Sequence, residues 1–344
     1  MEPMAAPSKN RPSQPGQVRA WLQLMRIANL PTAVSNVAAG AALVSPGINY
    51  PVSWYDITLF AVAVCISALL YTSGMILNDA CDAEADAIER PNRPIPSGVI
   101  RRETAFKVGF GLMLFAIAVP AILSVYQLIA EAKNVAPLVS LLTLGIALSA
   151  CIVLYDGPLK RTWLGAPTMG CCRTLNILLG TVSSIYFFGW YSPALSQARF
   201  AYPLSIGLFV TGITLLARSE TKHQQSRIWL AIGSLMMLIA LGMLATLNTV
   251  KTDWLKPETH LVTRQAYWAM LAIIAFPIVR RLILAVQKAD PPTVGAAIGT
   301  SLSSLIFLDA TVCFLVRPDK PIYAGAVASL IIPVMILRRF SAQT

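Results

Sequence analysis

Residues 54–98 read WYDITLFAVAVCISALLYTSGMILNDACDAEADAIERPNRPIPSG. The run 54–77 is apolar, and as a helix rising 1.5 Å per residue it spans about 36 Å, enough to cross a bilayer. Five of the 16 acidic residues then follow within eleven positions: Asp79, Asp82, Glu84, Asp86 and Glu89. The basic, proline-rich run Arg90-Pro91-Asn92-Arg93-Pro94-Ile95-Pro96-Ser97-Gly98 comes next. An apolar segment that ends abruptly in clustered charge reads as a helix leaving a membrane. The acidic cluster also needs a cation, because closely spaced carboxylates repel one another and are costly beside a bilayer.

The rest of the chain repeats the first half of this pattern. Of its 344 residues, 56% are hydrophobic and 12% charged, and apolar runs of about twenty residues recur between short polar joints. Ten spans are expected at 27–46, 54–77, 104–125, 136–154, 166–190, 200–217, 228–248, 265–286, 294–316 and 321–337. Only Arg317-Pro318-Asp319-Lys320 separates the last two, so they read either as two full spans or as one span and a re-entrant segment. The fold class is therefore all-α, a polytopic membrane protein of nine or ten transmembrane helices. Residues 1–18, polar and rich in Pro, Ser and Gln, read as a disordered cytoplasmic tail, and 19–344 as one membrane domain.

With ten spans and the N-terminus in the cytoplasm, nineteen of the 27 Lys and Arg fall on the cytoplasmic side and seven on the other, and Arg173 lies inside a span. That asymmetry is the positive-inside rule. It accounts for the net charge of +11 through the membrane surface, and no nucleic-acid partner is expected. The expected location is the inner or plasma membrane. The six cysteines lie in or at the ends of spans without disulfide or zinc spacing, and two histidines, His223 and His260, are too few for a His-based metal centre. The sequence is silent on oligomeric state.

Asn78, Asp82 and Asp86 recur every four residues. If the second span continues as a helix past the membrane edge, they share one face, with Asp79 on the adjoining stripe. Mg²⁺ suits such a set, since it takes oxygen ligands and commonly shares itself between carboxylates and substrate phosphates. Arg90 and Arg93 sit on a backbone stiffened by Pro91, Pro94 and Pro96, and a guanidinium fork matches phosphate oxygens. Two polar groups are expected inside spans: Arg173 with Asn176 in the fifth, and Asp309 in the ninth. Arg173 reads as facing the cavity or as paired with Asp156 or Asp309, and Asp309 reads as structural.

N-D-x-x-D-x-x-x-D followed by R-P-x-R-P-I-P-S-G, at the end of the second of about nine spans, resembles the UbiA superfamily of intramembrane prenyltransferases. Arg26 and Asn29 look like that family's R-x-x-N opening, and Tyr155-Asp156-Gly157-Pro158-Leu159-Lys160 like its Y-x-x-P-L-K joint. The resemblance implies a helical bundle around a central cavity open to lipid, a polyprenyl diphosphate with its tail in the membrane, and Mg²⁺ bridging the diphosphate to Asn78, Asp82 and Asp86. It implies ionisation of the allylic C–O bond and capture of the carbocation by a small acceptor, aromatic or otherwise electron-rich. Asp82, Asp86, Lys160 and Tyr155 are then the catalytic set. Arg26, Asn29, Arg90, Arg93, Asp156, Arg161, Arg173, Asn176, Arg218 and Glu220 are the substrate-binding set.

One departure stands out. The superfamily usually carries a second D-x-x-x-D motif after the sixth span. Here the joint 216–227 reads LARSETKHQQSR, with Glu220 its only carboxylate. Two protein carboxylates for a second metal are not expected there, and Arg218 or Lys222 could supply a fixed cation instead. The alternative to an enzyme is a non-catalytic lipid-handling or transport protein on the same fold. A CDP-alcohol phosphotransferase would need a D-G-x-x-A-R run, which the chain lacks.

Overall fold

The computed structural model describes residues 16–44, 53–130, 134–183, 193–220, 227–247 and 257–342, and all regular structure among them is helical. Helix α1 (Gln17–Leu24) leads through a 3-10 turn (Ile27–Asn29) into α2 (Leu30–Leu43). Then come α3 (Trp54–Cys81), α4 (Ala83–Glu89), α5 (Arg102–Ile129), α6 (Ala136–Leu154), α7 (Gly165–Val182), α8 (Pro193–Glu220), α9 (Arg227–Thr246), α10 (Pro257–Lys288), α11 (Pro291–Val316), α12 (Pro321–Ser329) and α13 (Ile331–Ala342). Local chemistry sets several starts. Ser53 and Asp56 exchange side-chain and backbone hydrogen bonds at 3.1 Å to cap α3. Asp290 accepts from the Thr293 N–H at 2.8 Å to cap α11, and proline occupies the first turns of α2, α6, α11 and α12.

Helices α3, α5, α6, α7, α8, α9, α10 and α11 pack one on the next, and α2 closes the ring by touching α3, α7 and α11. One apolar core joins α2 to α8–α12, around Tyr202, Phe209, Met237 and Tyr267. A second fills α3, α5, α6 and α7, around Ile66, Leu70 and Leu141. Helices α2 and α7 serve both, and their seam is backbone against backbone. A Cβ at Gly40 would lie 2.2 Å from the Ile177 carbonyl oxygen, and one at Gly180 would lie 2.0 Å from that of Val37. Small residues at such a contact let helices approach closely enough to pack without a hydrophobic drive. Apolar side chains of α5 such as Leu114, Phe115 and Ile122 are exposed on the outside, as helices facing lipid require.

Helices stand at all ten expected positions. Seven of them, among the described residues, are long and apolar enough to cross a membrane, which makes this a multi-pass membrane protein. The segments Ile27–Leu43 and Pro321–Leu337 are shorter, and α7 carries Arg173 and Asn176 within 18 described residues. The last segment is broken at Leu330, yet α13 reaches the Ile27–Asn29 turn, so the α12–α13 pair returns along α11 to the end where α2 begins. Residues 1–15 lie outside the described residues, and Gln17 and Val18, read as tail from the sequence, already belong to α1.

Asp309 is fully buried at the crossing of α2, α8 and α11. Its carboxylate accepts from Ser35 Oγ at 2.5 Å, from Asn36 Nδ2 at 2.8 and 3.0 Å, and from the Tyr202 hydroxyl. This is the structural role expected for it.

Candidate active site

The acidic motif sits at the mouth of a cavity. Helix α3 does not run straight through it. Asp82 caps α3 with its N–H on the Asn78 carbonyl at 3.0 Å, and α4 restarts at Ala83. The interruption is one residue wide: Asp82 keeps right-handed torsions, the Asp86 N–H still reaches the Asp82 carbonyl at 2.9 Å, and Asn78 and Asp82 meet one and the same ammonium. The break hands the carboxylates to different partners.

The loop after α4 supplies the first partner. It is closed by Ser97 N–H to Arg93 O at 2.9 Å, Gly98 N–H to Ile95 O at 3.0 Å and Ile100 N–H to Pro94 O at 3.0 Å. Gly98 turns it with φ +80°, a region favourable to glycine. Ile95 and Ile100 bury against α1 and α3, and this anchors Arg93 facing inward. Its Nη1 lies 2.5 Å from Asp86 Oδ2 and 3.5 Å from Asp79 Oδ1. Arg26 reaches the same Asp79 oxygen at 2.9 Å, from a backbone held at φ 45°, ψ 46°. That left-handed conformation is strained for a residue with a Cβ.

The second partner comes from the end of α6. There the helix widens into a π-type turn, Tyr155–Leu159, in which Gly157 leaves helical geometry at φ −96°, ψ −110°; single wide turns of this kind are common at functional sites. The turn delivers Lys160 across the mouth, where its Nζ donates to both Asn78 Oδ1 and Asp82 Oδ2 and lies 5.9 Å from the centre of the Tyr155 ring. Arg218, at the end of α8, braces this joint from behind. Its Nη1 donates to Thr162 O at 2.7 Å and its Nη2 to Lys160 O. Gly165 leaves the room for it, since a Cβ there would lie 2.0 Å from the Arg218 guanidinium.

Beneath the mouth lies a cavity of 360 Å³. Arg26, Asn29, Asn78, Tyr155 and Asp156 line its upper part, and Leu70, Met75, Leu148, Ile152, Met169, Val210, Ile213, Ile298 and Leu302 supply apolar walls. Arg173 and Asn176 also line it. Asn176 is held by Ser67 Oγ at 2.6 Å and donates to Ala33 O at 2.9 Å. Asp156 Oδ2 is buried with no hydrogen-bond partner among the described residues.

Residues 33–292 match the UbiA prenyltransferase family, three quarters of the chain, and include the acidic motif, Arg93 and Lys160 at the mouth. The chain belongs to that family. It is 30% identical over 169 residues to the digeranylgeranylglyceryl phosphate synthase of Metallosphaera sedula, covering 49% of this chain and 50% of that protein. The chain spans about half the length of the curated relatives it matches. Its fold resembles a solved digeranylgeranylglyceryl phosphate synthase at TM-score 0.57 and 17% identity, covering 88% of this chain and 99% of that one. It also resembles a UbiA homologue from Archaeoglobus fulgidus solved with DMAPP and Mg²⁺, at TM-score 0.52 and 15% identity, covering 90% and 99%.

Within this UbiA-family frame, the structure gathers Arg26, Asn29, Asn78, Tyr155, Asp156, Arg173 and Asn176 on one cavity, with Asp82, Asp86, Arg93 and Lys160 at its mouth. Arg90 and Arg161 are exposed and outside the cavity lining. Arg218, read as a possible fixed cation for the diphosphate, turns to the Thr162 and Lys160 backbone carbonyls of the joint after the π-type turn. The side chain of Glu220, and Lys222 altogether, lie outside the described residues. Asp79 emerges as a central residue that spacing alone placed at the margin; of the two arginines that meet it, only Arg93 is near the motif in sequence.

The donor set fits a hard divalent ion. Asn78 Oδ1, the Asp82 carboxylate and the unpartnered Asp156 Oδ2 are all oxygens. Among the described residues no three His, Cys, Asp or Glu side chains form a cage by themselves. Mg²⁺ commonly completes its shell with substrate phosphate oxygens and water.

Proposed function

We propose that this chain transfers a polyprenyl group from a polyprenyl diphosphate to a small acceptor, at the cytoplasmic side of the inner or plasma membrane. The observation that carries the reading is one cavity with an apolar interior whose mouth combines carboxylate, amide oxygen and three cations. The apolar walls suit an isoprenoid tail. Lys160, Arg26 and Arg93 suit a diphosphate, as charge-assisted donors.

In the reaction the allylic C–O bond breaks and its electron pair leaves with the diphosphate. The carbocation forms a new bond to the acceptor's nucleophilic atom, and that atom loses its proton. Lys160, Arg26 and Arg93 stabilise the charge that grows on the leaving diphosphate. Asn78 and Asp82, with Asp86 or Asp156 beside them, would hold Mg²⁺, which when bound supplies Lewis-acid neutralisation of the same oxygens. The cavity walls exclude water that would quench the cation, and the Tyr155 ring beside Lys160 presents a π face at the head of the cavity. The names of the relatives support a glyceryl phosphate acceptor, and the chemistry equally admits an aromatic one.

The test is pyrophosphate release in nanodiscs from a panel of prenyl diphosphates and acceptors. Mg²⁺-dependent turnover should disappear in Asp82→Ala and Asp86→Ala, and turnover that persists in either variant refutes the assignment of that carboxylate. The missing aspartates in the 216–227 joint favour one second reading, a lipid-handling protein. That reading gains if isoprenoid diphosphate binds with Mg²⁺ and no acceptor yields pyrophosphate.

A further inference from the structure

Helices α6 and α7 bring two thiols together beside the cavity. Cys151 of α6 and Cys172 of α7 lie within interaction range of one another, and both are free thiols. Cys151 stands in the last α-helical turn before the π-type turn, where its carbonyl accepts from the Tyr155 N–H. Cys172 is on the cavity lining and packs on the core that contains Leu148 and Ile152. It interacts electrostatically with Tyr155, Asp156 and Arg173. The chain between the two cysteines, residues 152–171, is the joint that carries Lys160 and Gly165. A cysteine that only fills space needs neither a second thiol against it nor a face on a cavity. Reactive cysteines sit partly exposed near cationic groups, and Cys172 has the cavity on one side and Arg173 next in sequence.

We propose that Cys151 and Cys172 are a redox-sensitive pair that closes into a reversible disulfide when a hydroperoxide enters the cavity, and that the closed form restrains the joint holding Lys160. The oxidant is a hydroperoxide, ROOH, of the class that oxidised lipid supplies. The Cys172 sulfur attacks the terminal peroxide oxygen and the O–O bond breaks. The alcohol ROH leaves with the thiol's proton, and Cys172 becomes a sulfenic acid. The Cys151 sulfur then attacks the Cys172 sulfur, the S–O bond breaks, the S–S bond forms, and water leaves with the second proton. The two thiols lose two electrons in all, and the peroxide gains them. Exchange with an excess of a small dithiol reverses the change. The disulfide holds α6 and α7 at one spacing and turns residues 152–171 into a closed loop. The π-type turn then no longer adjusts independently of α7, and Lys160 loses the freedom to follow a diphosphate. The chemistry of the pair stands apart from the prenyl-transfer reading, and only its effect on turnover rests on that reading.

The test treats the full chain in nanodiscs with cumene hydroperoxide, caps it with N-ethylmaleimide and digests it with trypsin, which cuts at Lys160 and Arg161 between the two cysteines. Mass spectrometry without reductant should find the Cys151 peptide joined to the Cys172 peptide, in wild type and in Cys171→Ser. Dithiothreitol should separate them. Mg²⁺-dependent turnover should fall at least about tenfold on treatment, within the scale of a small misplacement at a reacting centre, and dithiothreitol should restore it. Cys151→Ser should keep its untreated turnover under hydroperoxide. The wild-type peptide map decides the link even if Cys151→Ser does not fold. The proposal is overturned if no link forms, if Cys151 pairs with the exposed Cys171 instead, or if a non-reducing gel shows that the link joins two chains. It is equally overturned if linked and reduced protein turn over alike, or if treatment lowers turnover as far in Cys151→Ser as in wild type. Absence of turnover in untreated wild type with every acceptor counts against prenyl transfer alone. The effect on the joint is then read from Mg²⁺-dependent binding of pyrophosphate, which the link should weaken at least about threefold, and an unchanged affinity overturns the proposal.

Discussion

Lys160 Nζ bridges Asn78 Oδ1 and Asp82 Oδ2, so one ammonium joins the end of α6 to the end of α3 across about 80 residues of sequence. The contact ties the two family motifs into one mouth. Removing it should injure chemistry more than fold. Lys160→Met is expected to lower turnover roughly 10²–10³-fold, the scale of losing one charge-stabilising donor, with a melting temperature near that of wild type. Lys160→Arg should recover little, because the bulkier planar guanidinium does not fit where a compact ammonium sits between Asn78 and Asp82. Steady-state kinetics with thermal melts of the same samples check both.

Gly165 and Arg218 should behave as a unit. A methyl at residue 165 would collide with the guanidinium and lie 2.7 Å from the Leu159 carbonyl oxygen. Gly165→Ala and Arg218→Ala should each reduce turnover about tenfold by loosening the joint that carries Lys160. The double variant should cost little more than either single one, since coupled residues do not add. Additive losses in the double-mutant cycle would show that Arg218 acts elsewhere.

Asp309 should matter for stability before it matters for binding. Asp309→Ala leaves the Ser35, Asn36 and Tyr202 donors buried without their acceptor. A loss of about 2–4 kcal/mol follows from stranding several polar groups together. Thermal unfolding in detergent should show the shift, while diphosphate affinity of the folded protein changes little.

Metal should stabilise only in company. With no protein-only cage among the described residues, Mg²⁺ alone should leave the melting temperature almost unmoved. Mg²⁺ with pyrophosphate should raise it, by an amount equivalent to about 2.7 kcal/mol when the ligand stands at a hundred times its Kd. EDTA should reverse the gain. A rise with Mg²⁺ alone would mean that the carboxylates form a complete site unaided.

The membrane bundle was legible because bilayer thickness forces a long apolar run on each span, and such runs survive inspection of a single sequence. The compound motif at 78–98 was legible because its acids, prolines and arginines are neighbours in the chain. What stayed hidden depends on distance in sequence or on backbone. Asp79 becomes central only when Arg26 arrives from 53 residues away. Arg218 looked like a free cation until the joint presented carbonyls 56 and 58 residues upstream. The break at Asp82 is a one-residue change of course that periodicity averages away, and the Thr32 contact that orients Arg173 spans 141 residues.

Arg26 shows a conflict between backbone and side chain. Its left-handed conformation costs an L-residue roughly 1–2 kcal/mol, which glycine would escape, yet only a long cationic side chain touches Asp79 from that position. A chain relaxed by glycine there would be better settled and worse equipped. The first helix thus meets the cavity through a residue whose backbone is costly and whose side chain is secured on Asp79.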